Sequence, residues 1–327
     1  MLSREKNQLF FDKIPMNELA ERYGTPSFIY SEEKIIKNFL AVKRAFSSIP
    51  TDICFAVKAN SNIGILQLLA RQGAGFDIVS GGELARVIKA GGDPTKIVFS
   101  GVGKQDWEIL EGLHKKIRCF NVESAAELEK IAQIANSNGY IAPVSLRVNP
   151  NIDAKTHPYI STGLAESKFG VNMDNAEELF QLAHEKPNLR VIGVDCHIGS
   201  QITEAEPFRA ALDVLIKLVR RLSERGMTLS HIDIGGGVGI RYKDEKIINW
   251  AHLANDIKKS MGNMPQRLIL EPGRSIVGDA GVLLSRVILL KKNGQKNFAV
   301  VDAGMNDLLR PALYGSWHQV LSVEKRT

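Results

Sequence analysis

The chain has little cysteine, no long apolar run and no aromatic residues set among its bases. Its three cysteines, Cys54, Cys119 and Cys196, are odd in number and far apart, so neither a disulfide framework nor a zinc site is suggested. They fall mostly inside predicted strands, where two of them would fill core. The amino terminus, residues 1–8, lacks the apolar core of a signal peptide, and the most apolar later run, 281–290, is short and broken by Arg286. A cytoplasmic protein with no membrane partner is expected. The formal charge of +6 comes from scattered pairs such as Lys115-Lys116, Arg220-Arg221, Lys258-Lys259 and Lys291-Lys292. These read as solvated helix faces and loop tips, and without interleaved aromatics they do not make a nucleic-acid groove. Nucleotide signatures are missing too. Gly235 and Gly237 are not completed by a glycine at Ile240, as a dinucleotide fingerprint requires, and no Walker lysine follows a glycine loop.

What is there describes a soluble globular protein: 44% apolar and 24% charged residues, in 327 residues that suffice for one large domain or two ordinary ones. Residues 1–26 have no regular pattern, with Phe10, Phe11 and Ile14 as anchors for an element that packs on something distant. From Phe28 onward short apolar runs alternate with amphipathic segments. The first is 27–30, followed by a helix that Ser31 caps. Eight strand-and-helix alternations then run from Ile53 to about Gly273, with strands at 53–57, 76–79, 97–99, 118–122, 144–148, 191–196, 231–234 and 267–270. That count predicts an α/β fold, a (β/α)8 TIM-like barrel, with an open doubly wound sheet as the alternative. Past Gly281 the helices disappear, and the runs 282–290 and 298–301 read as the start of a separate C-terminal β domain. The expected division is an N-terminal segment 1–26 packing with the β domain, a barrel over 27–280, and a truncated β domain over 281–327. Two or three strands alone would leave edges and an apolar face unpaired.

Barrel active sites lie at the carboxyl ends of the strands. Here those ends carry Lys58, Asp77 with Ser80, Ser100 with Lys104, Asn121 with Glu123, Arg147 with Asn149, and His197 with Ser200 and Gln201. The last two strands add Gly235 to Gly237, and Glu271 with Arg274. Held against an apolar wall, Lys58 can lose its proton and condense with a carbonyl, because desolvation disfavours the ammonium form. The plain alternative is a strand-end amine in water. The triple glycine suits a phosphate, since amides approach an anion closely where no Cβ intervenes; otherwise it is a flexible turn. Glu271 could keep a pyridine nitrogen protonated. Arg274 could grip a carboxylate, or could form a salt bridge with Glu271 or Asp279. His197 is either a core histidine or a ring lying flat on a cofactor. Lys104 and His157 are taken as solvated.

Taken together, several strings resemble the fold-type III pyridoxal phosphate decarboxylases, with their alanine racemase-like barrel. They are FAVKAN (55–60), FDIVSGGEL (76–84), LRVNP (146–150), HPYISTGLAESKFG (157–170), CHIGSQ (196–201), DIGGG (233–237), LEPGR (270–274), VDAGMND (301–307) and RPALY (310–314). They span nearly the whole chain in the family's order. The resemblance implies pyridoxal 5'-phosphate as cofactor and no metal. By it Lys58 is the Schiff-base lysine, His197 the ring-stacking histidine, and Gly235, Gly236 and Gly237 the phosphate loop. Ser200, Gly273 and Arg274 fall near the phosphate, Asp77 near the cofactor, and Glu271 beside the pyridine nitrogen. Arg274, Arg310 and Tyr314 match positions that hold substrate carboxylates. Racemases of the same barrel put an arginine by the nitrogen, so Glu271 argues for decarboxylation.

The stretch 161–170 and Gln201 resemble the branch that converts meso-2,6-diaminopimelate to L-lysine and carbon dioxide. Ornithine, arginine or lysine is the alternative substrate, and a non-catalytic cofactor-binding or partner-binding module the alternative role. A homodimer with active sites at the interface is implied. Relatives continue with a Cys-Glu-Ser type motif and a late tyrosine, and neither string occurs here, which puts turnover by this chain in question.

Overall fold

Eight of the apolar runs become parallel strands in a computed structural model, which describes residues 1–153 and 168–325. The strands are β1 (Thr51–Ala56), β2 (Gly75–Ile78), β3 (Ile97–Phe99), β4 (Cys119–Val122), β5 (Ala142–Asn149), β6 (Leu189–Asp195), β7 (His231–Asp233) and β8 (Arg267–Leu270). Neighbours in sequence pair in parallel from β1 round to β8, and Leu270 then pairs with Ile53, so β8 closes on β1. Closure establishes the (β/α)8 barrel and excludes the open doubly wound sheet. Strands covered on both faces need no polar alternation, which is why they read as continuous apolar runs.

The helices that cover the barrel begin at side-chain caps placed just past the strand ends. Asn62 accepts from the Gly64 amide at 2.9 Å to start α1 (Ile63–Arg71), and Ser80 from Glu83 at 3.2 Å to start α2 (Gly81–Lys89). α3 is Asp106–Lys115, and Ser124 caps α4 (Ala125–Ser137) through the Glu127 amide at 3.1 Å. α5 (Met173–Glu185), α6 (Glu206–Glu224), α7 (Trp250–Met261) and the short α8 (Arg274–Val277) complete the set. Phe55, Phe76, Phe99 and Phe120 are fully buried, with the Phe99 and Phe120 rings 5.9 Å apart. Each such side chain contributes roughly 1.5–3 kcal/mol of burial. Cys54 and Cys119 fill core beside Val98 and Ile269.

The chain divides into two compact units. The barrel unit comprises Ile36–Ile240 and Lys246–Val277; the other comprises Met1–Ile35, Arg241–Glu245 and Gly278–Thr327. In the second unit Leu2–Glu5, Gln8–Phe11 and Ile14–Pro15 form a three-stranded antiparallel sheet, and Leu9, Phe11, Met16 and Leu284 form one buried cluster. Phe11 is thus an anchor, whereas Ile14 is 43% exposed. Ser27–Tyr30, the first beat of the alternation, pairs antiparallel with Gly281–Leu284. The single strand expected at 282–290 is two. The break falls at Ser285 and Arg286, whose hydroxyl and amide both donate to Asp302 Oδ1 at 2.8 Å, and an exposed hairpin follows, Val287–Asn293 with Lys296–Val301. Among the described residues no helix is long and apolar enough to cross a membrane.

One glycine is dictated by packing inside the barrel. A Cβ on Gly193, in β6, would run into the buried His231 ring of β7. Gly193→Val should therefore cost about 1–3 kcal/mol of stability, the range for overpacking a core. The check is a urea titration, in which the midpoint falls while the slope is kept.

Candidate active site

The turn Val57–Ala59 carries Lys58 out of β1 and onto the barrel mouth, where 46% of its side chain is exposed. Its Nζ is paired with Oδ2 of Asp77, the fully buried penultimate residue of β2. Burial is the largest influence on the amine and favours the neutral form. The Asp77 and Glu271 carboxyls and the Asp77 hydrogen bond outweigh it, so the pKa of Lys58 lies above its ordinary value. The expectation that desolvation alone would strip the proton is corrected. In the protein by itself Lys58 is an ammonium held by Asp77.

Glu271 follows β8, the strand paired with β1. It is 5% exposed, and no donor among the described residues meets its Oε1. Burial, then the carboxyls of Asp233, Asp77 and Asp195, push its pKa well up, with Lys58 pulling the other way. Asp195 and Asp233 are the last residues of β6 and β7, paired in register, and their carboxyl oxygens and that of Glu271 lie within 4.8 Å of one another. Burial raises both aspartates, Asp233 to about 7 against the opposing pull of the Gly235 amide. On the far side of Asp195, the Arg147 guanidinium bridges Asp195 at 3.8 Å and Glu123 at 3.2 Å, and stacks on Phe169 at 5.1 Å.

His197 is half-buried and follows β6. Burial, and then the Arg147 and Lys58 cations, push its pKa well down, so its imidazole is neutral. Consistent with that, Nδ1 accepts from the Gly236 amide at 3.2 Å. The Gly235 amide donates to Asp233 Oδ1 at 2.8 Å. Two of the three loop amides are thus already engaged, rather than all three facing an anion. The glycines are not a loose turn either: a Cβ on Gly236 would strike the Glu271 carbonyl, and one on Gly237, at φ +104°, the Gly199 carbonyl. Arg274 donates to Ser200 Oγ at 2.9 Å and to Gln201 Oε1 at 3.4 Å. A Cβ on Gly273 would lie only 3.0–3.1 Å from the Ala59 and Ala56 methyls.

The mouth of the barrel therefore brings together Lys58, Asp77, His197, Ser200, Gly235, Gly236, Gly237, Glu271, Gly273 and Arg274. Arg310 and Tyr314 belong to the other unit, where the Arg310 guanidinium lies 4.8 Å from the Tyr314 ring and 5.3 Å from the Tyr242 ring. Lys104 is not solvated. It is 6% exposed and donates to the Gly101 and Asn121 carbonyls at 2.8 Å and to Glu127 at 2.7 Å. His157 and most of the 157–170 string lie outside the described residues.

Sequence reasoning missed Asp195 and Asp233 as members of the site. The signal was an acid closing an otherwise apolar buried run, in VIGVD (191–195) and HID (231–233). An amine, an acid with an open oxygen, a neutral imidazole, and a glycine loop beside an arginine and a serine together fit pyridoxal phosphate, which offers an aldehyde, a basic ring nitrogen, a flat ring and a dianion.

Residues 32–278 match the family described as pyridoxal-dependent decarboxylase, pyridoxal binding domain. Diaminopimelate decarboxylase of Haemophilus influenzae is 50% identical over 98% of this chain and 77% of its own length. That of Pseudomonas aeruginosa is 52% identical over 98% and 77%. The crystal structure of diaminopimelate decarboxylase from Helicobacter pylori complexed with L-lysine superposes with a TM-score of 0.90 at 46% identity, covering 93% of this chain and 76% of that one. With this barrel and these relatives, the chain belongs to the pyridoxal-dependent decarboxylases, in their diaminopimelate decarboxylase branch.

Proposed function

We propose that the chain decarboxylates meso-2,6-diaminopimelate to L-lysine and carbon dioxide, with pyridoxal phosphate attached at Lys58. The observation that carries this reading is Glu271, a buried carboxyl with an open Oε1 on the strand next to the lysine. Pyridoxal phosphate supplies an aldehyde that condenses with amines and a ring that takes up the electron pair left when carbon dioxide departs. Glu271 would hold a proton on the ring nitrogen, which favours that uptake. An arginine in its place would weaken the sink.

The remaining residues position and exclude. Asp77 keeps Lys58 at the mouth. His197, neutral and fixed through Nδ1, offers a flat face to the ring. Gly237, Ser200 and Arg274 form the side suited to the phosphate, Arg274 being already tied to Ser200 and Gln201. Arg310, stacked on Tyr242 and Tyr314, is the candidate for a substrate carboxylate, its planar fork matching the two oxygens. The resemblance supports a cytoplasmic homodimer with sites at the interface, and gel filtration of the loaded protein tests that assembly.

Three outcomes are expected. Loading the full chain with pyridoxal phosphate should give a visible absorbance band that is lost in Lys58→Ala; a band that survives there excludes Lys58. Carbon dioxide release from meso-diaminopimelate should exceed release from L-ornithine or L-lysine, and the opposite order would overturn the substrate assignment. In Glu271→Gln, kcat should drop about a hundredfold with the cofactor retained, a loss typical of removing one group that stabilises developing charge.

A further prediction comes from the Lys58–Asp77 pair. Because the carboxylate helps hold the amine's pKa up, Asp77→Asn should lower it, so Lys58 becomes reactive toward an acylating reagent at lower pH than in the wild type. Mass-spectrometric labelling of Lys58 across pH reads that shift, and an upward or absent shift would contradict the role given to Asp77.

A further inference from the structure

Among the buried acids at the barrel mouth that the cofactor match leaves unassigned, one has two oxygens in different surroundings. Asp233 is fully buried at the end of β7. Its Oδ1 accepts from the Gly235 amide at 2.8 Å, the first residue of the glycine loop. Its Oδ2 finds no N–H or O–H donor among the described residues, and neither does Oε1 of Glu271, though the two carboxyls come within 4.8 Å. The backbones are locked in the same place: the Glu271 amide donates to the Gly235 carbonyl at 2.8 Å, and Gly236 leaves no room for a Cβ against the Glu271 carbonyl.

Asp195, Asp233 and Glu271 each bury an oxygen that meets no donor among the described residues, and their carboxyls cluster within 4.8 Å. Carboxyls so crowded and buried do not all ionise; one proton shared between Asp233 and Glu271 turns repulsion into a hydrogen bond. The charge around them has the same consequence. Two cations, Lys58 and Arg147, are set among five buried carboxyls, Asp77, Glu123, Asp195, Asp233 and Glu271. Asp233 itself is faced by Glu271, Asp195, Asp77 and Arg118, and by the three buried thiols named above.

We propose that Asp233 is a positioning residue for Glu271: it carries the shared proton, donates it in a hydrogen bond to Glu271, and through the Gly235 amide ties the acid that serves the ring nitrogen to the loop that serves the phosphate. This rests on the cofactor assignment made above. Asp233 touches no reacting atom. It fixes the orientation of the Glu271 carboxylate toward the ring nitrogen. Removing it leaves the phosphate side able to bind and the ring nitrogen poorly held.

The test uses the full chain loaded with pyridoxal phosphate and two substitutions. Asp233→Asn keeps an oxygen for the Gly235 amide and supplies an N–H for Glu271 that does not titrate. Asp233→Ala supplies neither. Expected for Asp233→Asn is a kcat within about threefold of wild type, with the alkaline limb of the pH profile, and of the pH titration of the visible band, moved up by one unit or more. Expected for Asp233→Ala is a band that still forms at Lys58, with kcat down tenfold or more and KM for meso-diaminopimelate little changed. The proposal is overturned by wild-type pH behaviour in Asp233→Asn, by equal loss of kcat in both variants, or by wild-type kcat in Asp233→Ala. A wild-type chain that forms no lysine-dependent band would instead remove the cofactor assignment, an outcome distinct from these.

Discussion

More negative than positive groups are buried at the mouth of this barrel, and low-dielectric surroundings make that imbalance costly unless protons are bound or partners are found. The surplus is handled in two ways. Lys58 stays charged against Asp77, and Arg147 spans Asp195 and Glu123. The remainder, centred on Glu271 and Asp233, is shifted toward the neutral form. A group poised between charged and neutral responds strongly to a new cation brought beside it, which is what a protonated ring is.

The positions of those groups depend on a rim that is stapled rather than loose. The junctions that follow β2 to β5 are closed by carboxyl groups accepting backbone amides. Glu83 takes Val79 at 2.7 Å, Glu108 takes Gly81 at 2.6 Å, Glu127 takes Glu123 at 2.7 Å, and Glu123 takes both Gly101 at 3.0 Å and Gly170 at 3.1 Å. These bonds satisfy amides that the strands leave unpaired as they exit the sheet, and they hold the ends from which the site's side chains project.

What was legible in the sequence was whatever depends on local pattern. Strands buried on both faces declare themselves as apolar runs, and serine or asparagine caps mark where helices begin, so the eightfold alternation and the strand-end polar residues could be read directly. What was not legible depends on pairing across the chain. Residues 27–30 look like the barrel strands, yet their partner lies some 250 positions on, at Gly281–Leu284. A lysine at 104 looks solvated until Glu127, from the next strand-helix unit, is brought onto it. Asp195 and Asp233 look like ordinary strand ends until the register of β6, β7 and β8 places them against Glu271. The protonation of Lys58 was misjudged for the same reason, because burial was visible locally and Asp77, nineteen residues on, was not.

All three thiols are fully enclosed, and burial pushes each far up in pKa. The folded chain therefore presents no thiolate to alkylating agents or peroxides, since only the ionised, accessible sulfur reacts. Two of the sulfurs fill the barrel interior itself, so they are reached only when the cylinder opens. Their modification is a clock for that opening, and the integrity of the barrel can be followed in a mixture through the fate of Cys54 and Cys119 alone.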